Sequence, residues 1–135
     1  MLNPVTESGF PVGGWLMVVA ILGGLAVAAG AFGAHALEGK LSDQYLEVYK
    51  TAVQYQMIHT LALLGVAILG AIHPDAAWLR PSAWLFLVGT LLFSGSLYAL
   101  VFSGIRPLGI ITPFGGLAFI LGWAALAMAG LRWAQ

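Results

Sequence analysis

Apolar residues run almost unbroken through four stretches of this chain, at about 12–36, 51–72, 82–102 and 113–131. Each is near the roughly 20 residues that a helix needs to cross a ~30 Å hydrocarbon core. Charged residues fall in the gaps between them, as the cost of a charge in lipid requires. The gaps are short and carry helix breakers: His73-Pro74-Asp75, Arg80-Pro81-Ser82 and Ser103-Gly104-Ile105-Arg106-Pro107. Thr112-Pro113 reads as a helix cap followed by a first-turn proline. Connections this short make successive helices antiparallel neighbours.

The stretch at about 42–50 has a different pattern. Asp43, Glu47, Lys50 and Gln54 recur on one side of a helix, and Tyr45, Val48, Tyr49, Ala52 and Val53 on another. It reads as a short amphipathic helix at the membrane surface, capped by Ser42 and running on into the second span, with its tyrosines at headgroup level. The expected fold is therefore all-α: a polytopic membrane protein, an antiparallel bundle of four transmembrane helices, with this interfacial helix between spans 1 and 2.

Composition strengthens the reading. Of 135 residues, 61% are hydrophobic and 7% charged, where a soluble domain carries about 25% charge. The lipid bilayer is the expected partner, and the length suits one domain. Five basic and five acidic residues cancel, leaving no basic stripe for nucleic acid. With no cysteine, disulfides, thiolate metal sites and cysteine nucleophiles are excluded. Ala34-His35-Ala36 has the form of a leader cleavage site. The apolar run before it is too long for a leader, however, and is preceded by Glu7 without a basic residue, so it is expected to be retained. Trp15, Trp78, Trp84 and Trp133 fall near span ends, as an aromatic belt does, whereas Trp123 is mid-span and is expected to pack between helices. Arg80 and Arg132 on one side face Lys40, Lys50 and Arg106 on the other, which sets no orientation.

Small residues form two stripes. Gly115, Ala118, Gly122, Ala125 and Ala129 follow steps of three and four in the last span, and Gly23, Ala26, Gly30 and Gly33 line the first. Small residues let backbones approach closely in lipid, so these stripes are expected to make the tightest helix contacts, either with each other or across an oligomer interface.

Polar groups inside spans are the candidates for chemistry. Gln54, Tyr55, Gln56, His59 and Thr60 open the second span, His35 ends the first, and Ser94, Ser96 and Tyr98 lie in the third. Three readings fit them. One is a hydrogen-bond network tying helices together. Another is a proton or solute path through His35 and His59, although no charged residue is mid-span and no broken-helix pair is evident. The third is a haem or metal held by the two histidines. Hydrolytic chemistry is not expected, because every carboxylate lies outside the spans and a serine triad needs an acid beside its base. The balance favours a non-enzymatic component, without cofactor or metal, acting as a homo-oligomer or as a subunit of a membrane complex.

Several motifs carry a resemblance. Gly30 to His35 (Gly-Ala-Phe-Gly-Ala-His), Tyr55 to Ala62, Leu92 to Tyr98, Thr112 to Gly116 and Gly122-Trp123 resemble, in order and spacing, the domain of unknown function 423 family. These are small bacterial inner-membrane proteins with eukaryotic relatives named transmembrane protein 256. The resemblance spans nearly the whole chain. It implies a four-helix membrane protein, places His35, Tyr55, His59, Ser94, Ser96 and Tyr98 in signature motifs, and names no activity. Bacterial members often end in a basic tail, which implies cytoplasmic termini; this chain ends Leu131-Arg132-Trp133-Ala134-Gln135 and lacks that tail.

Overall fold

The computed structural model describes residues 9–135; Glu7 lies outside them. Four long helices form an antiparallel bundle: α1 Val12–Phe32, α2 Asp43–Ile72, α3 Leu79–Ser103 and α4 Thr112–Trp133. All four are long and apolar enough to cross a membrane. A π-helical turn, Gly33–Leu37, ends α1, and a 3-10 turn, Arg106–Ile110, precedes α4.

The ends follow local chemistry. The Ser42 hydroxyl accepts the Tyr45 amide at 3.1 Å and starts α2. Gly104 takes φ 71°, a left-handed conformation that suits glycine, and donates its amide to the Leu100 carbonyl, closing α3. Thr112 departs from expectation. It is the first residue of α4 and caps nothing. Its hydroxyl instead lies 2.6 Å from that of Ser96, because a partner on α3 competes with the local backbone.

The separate interfacial helix is also corrected. Residues 43–50 are the opening turns of α2, which is continuous for 30 residues. No breaker separates the amphipathic part from the span. At 1.5 Å per residue α2 is about 45 Å long, so its charged end overhangs a ~30 Å core. Tyr49 does not face the surroundings of the bundle. It is 3% exposed, and its hydroxyl donates to the Ala29 carbonyl of α1.

α1 packs mainly on α2, α2 on α3, and α3 on α4. The main core joins Trp15, Leu63, Val66, Leu79, Phe86 and Phe119, and a smaller one forms around Leu37, Tyr49 and Val101. The small-residue stripes pack inside the chain, fully buried on α4 and partly so at Gly23 and Gly30 on α1, but each seats on a different neighbour. Gly115, Ala118, Gly122, Ala125 and Ala129 are all buried. A Cβ at Gly115 would strike the backbone of Phe93, and one at Gly122 would come within 2.8 Å of the Phe86 ring, so this stripe seats on α3. On α1, Ala26 is buried, a Cβ at Gly23 or Gly30 would lie 3.6 Å from Thr60 or Val53, and Gly33 makes room for the Tyr49 ring, so this stripe seats on α2. Spacing identifies a face and is silent about which neighbour covers it.

Candidate functional site

The polar residues of the spans form bridges between helices. On α2, Gln56 is 5% exposed. Its Nε2 donates to the Leu22 carbonyl of α1 at 2.8 Å, and its Oε1 accepts the Tyr98 hydroxyl of α3 at 2.7 Å. Three helices are thus joined through one amide. The Ser94 hydroxyl donates to the Ala52 carbonyl at 2.7 Å and adds a second α3–α2 link.

His59 joins α2 to α4. Its Nδ1 lies 2.9 Å from the Tyr55 carbonyl, and its Nε2 lies 3.1 Å from the Trp123 indole nitrogen. A carbonyl only accepts and an indole N–H only donates. Nδ1 must therefore carry the proton and Nε2 must accept, which makes a neutral imidazole with both nitrogens used. The ring stacks on Phe119 at 3.5 Å between centroids and 10° between planes. Tyr55 stacks on Phe93 at 4.4 Å and on Phe119 at 6.3 Å, extending the aromatic wall.

The remaining hydroxyls are also engaged. Thr60 donates to the Gln56 carbonyl at 2.6 Å, one turn back. Ser96 donates to the Phe93 carbonyl at 3.0 Å, so the Thr112 hydroxyl donates to Ser96. Among the described residues no buried side-chain nitrogen or oxygen lacks a hydrogen-bond partner.

Two expected members stand apart. His35 is exposed in the π-helical turn, and Gln54 is exposed on α2. The contacts of Gly23 with Thr60 and of Gly30 with Val53 fix the α1–α2 register. By that register His35 and His59 are separated by roughly 15 Å along the helix axes. They do not form a pair. Gln54 instead lines a cleft of about 220 Å³ with Gly30, Gly33, Ala34, Tyr49 and Lys50.

Sequence reasoning overlooked several participants. Ser82 is fully buried and donates to the Gly122 carbonyl at 2.9 Å, tying α3 to α4. Thr90 donates to the Phe86 carbonyl within α3 at 2.8 Å. Ser82 reads in sequence as the polar opening of a span, which concealed it. Trp123 was not overlooked: the one tryptophan away from the span ends packs between helices, as its position suggests. No group of three or more His, Asp or Glu side chains placed to hold a metal ion occurs among the described residues.

The family described as protein of unknown function (DUF423) matches residues 29–116, from the end of α1 to the start of α4. The UPF0382 membrane protein SERP0230 of Staphylococcus epidermidis is 46% identical over 124 residues, which cover 88% of this chain and 99% of that protein. The UPF0382 membrane protein YwdK of Bacillus subtilis is 48% identical over 109 residues, 81% of this chain and 89% of its own length. No solved structure matches the chain. With its four apolar spans and bacterial relatives of this likeness, the chain is an integral membrane protein that belongs to the DUF423 family.

Proposed function

We propose that this protein is a non-enzymatic membrane component that works by helix association, as a homo-oligomer or as an accessory subunit of a larger membrane complex. The observation that carries the reading is the saturation of His59. One nitrogen is spent on the Tyr55 carbonyl and the other on the Trp123 indole. A proton relay needs a nitrogen open to the next carrier. A haem or metal ligand needs a free lone pair, and here Nε2's is committed to Trp123. Gln56 is used in the same inward manner. Glu38, Asp43, Glu47 and Asp75 are all exposed, outside the buried network, so among the described residues no carboxylate is placed to orient a base.

Both small-residue stripes are used within the chain, so association would use the outward faces. On α1 these present Leu16, Met17, Ile21 and Leu25, and on α4 Phe114, Leu117, Ile120 and Leu121. The test is a flux assay on purified protein in liposomes, at about one pH unit either side of the usual histidine value near 6.5. Proton and small-solute flux should equal that of protein-free liposomes at both pH values. Flux that disappears in His59→Ala would overturn the proposal in favour of a channel or carrier.

A further inference from the structure

A hollow of about 430 Å³ lies between Leu25, Ala28 and Phe32 of α1 and Tyr98 and Phe102 of α3, with Gln56 of α2 at its floor. Its walls are unusually aromatic. Tyr49, also lining it, meets Tyr98 and Phe102 edge to face at 5.6 and 6.0 Å between centroids. Gln56 supplies its one amide. That amide reaches α1 through Nε2 and α3 through Oε1, so it crosses the floor from wall to wall. A primary amide carries two N–H groups. One donates to the Leu22 carbonyl, and among the described residues the other has no partner. Gln56 is 5% exposed, and an unused donor on a buried side chain gains from any acceptor that reaches it.

We infer that the hollow binds a quinone from the bilayer core, with the ring between the aromatic walls and one ring carbonyl accepting the spare N–H of Gln56. Depth selects this class of acceptor. Gln56 lies six residues beyond Lys50, the last charge before the span, which is roughly 9 Å further into the membrane at 1.5 Å per residue. Phospholipids and fatty acids keep their ester and carboxyl groups near the interface, because such groups are costly in hydrocarbon. A molecule that dissolves whole in hydrocarbon carries its carbonyl to this depth. The walls select the shape. Flat rings pair with phenyl and phenol rings beyond the gain from buried area, and a saturated chain has no such pairing. This ligand goes beyond the association proposed above and does not depend on it.

The spare N–H can report on itself. Nuclear magnetic resonance of the full nitrogen-labelled chain in detergent micelles follows the side-chain amide of Gln56, with the exposed Gln54 amide as internal reference. Its loss in Gln56→Glu assigns the signal. The probes are menadione, which is a quinone, methylnaphthalene, which has the same ring without carbonyls, and palmitic acid. The chain has no cysteine, so no thiol adds to the quinone. Menadione should move the Gln56 amide proton downfield to saturation and leave Gln54 in place. It should bind about tenfold tighter than methylnaphthalene, as one hydrogen bond allows. Palmitic acid should leave the Gln56 signal unmoved. Ala28→Phe fills the hollow from its α1 wall and should weaken menadione about tenfold or more by taking the space of its ring. Val27→Phe places the same ring at an exposed α1 position outside the hollow and should leave the affinity unchanged. A Gln56 signal that menadione does not move, or that methylnaphthalene or palmitic acid moves as far, would overturn the inference. So would equal affinity in Ala28→Phe and Val27→Phe.

Discussion

A histidine in the middle of a membrane span invites a functional explanation, but the partners of His59 decide what it can do. Its two nitrogens and its ring face have separate neighbours: the Tyr55 carbonyl, the Trp123 indole and the Phe119 ring. Cross-helix hydrogen bonds in membranes average about 0.6 kcal/mol and reach ~1.7. Trp123→Phe should therefore cost about 1 kcal/mol, since it leaves Nε2 buried without a donor. Replacing both partners by rings of similar shape removes that orphan. The double variant Trp123→Phe with His59→Phe should then be less destabilised than the sum of the single changes. His59→Ala should cost more, about 2 kcal/mol or above, because the stack on Phe119 is lost and a cavity remains. Reversible unfolding in bicelles measures all four, and strict additivity would show that the two side chains are not coupled. The importance of Trp123 was legible as a tryptophan out of place in the belt. Its partner was not, because 64 residues separate them and only the folded chain brings them together.

At the scale of the element, glycine spacing carried more information than hydrophobicity. Every position of the last-span stripe is buried, because a stripe of small residues is the face on which another backbone comes closest. What the stripe packs against depends on which neighbour has a complementary ridge, and Phe86 and Phe93 on α3 supply it. Helix starts were legible where the cap was local, as at Ser42, and misread at Thr112, where the hydroxyl had a better partner on another helix. The continuity of α2 was legible, because the helical spacing of residues 42–50 runs on into the second span, but these turns are no separate interfacial element. A change from amphipathic to apolar pattern marks a change of solvent, and a helix crosses that boundary without breaking. These contacts predict opposite outcomes for one substitution type. Gly115→Ala places a methyl against the Phe93 backbone, which has no rotamer through which to yield, and should cost about 1–3 kcal/mol. At Gly65, exposed with open space around its missing Cβ, the same change should stabilise by about 0.5–1 kcal/mol through helix propensity. Unfolding of the two variants in one detergent series compares them directly, and equal shifts would sink the packing account.

For the whole molecule, the contacts divide the bundle unequally. The α4 stripe is pressed against α3 closely enough that side chains larger than glycine are excluded at Gly115 and Gly122, whereas along the α1 stripe a Cβ at Gly23 or Gly30 would sit at ordinary contact distance from α2, and only Gly33, beyond the end of α1, is hemmed in by the Tyr49 ring. Only 17% of the most apolar stretch of α1 is buried, against 39%, 33% and 33% for the other three spans. α1 is held by a few defined attachments: Tyr49 to the Ala29 carbonyl, Gln56 to the Leu22 carbonyl, and Trp15 against Trp84. Local stability follows buried contact and hydrogen bonding, so α1 should open before the α2–α4 unit does. The chain contains no cysteine, which makes the order measurable with single introduced thiols. Ala26 on α1 is 1% exposed and Ala83 on α3 is 0% exposed, so neither thiol reacts in the closed bundle. As a denaturing detergent is added, Ala26→Cys should become labelled at a lower mole fraction than Ala83→Cys. Gln56→Ala, which cuts the link to Leu22, should lower the Ala26→Cys midpoint further than that of Ala83→Cys. Simultaneous labelling of both positions would mean that the four helices open as one unit and that the unequal contacts have no energetic counterpart.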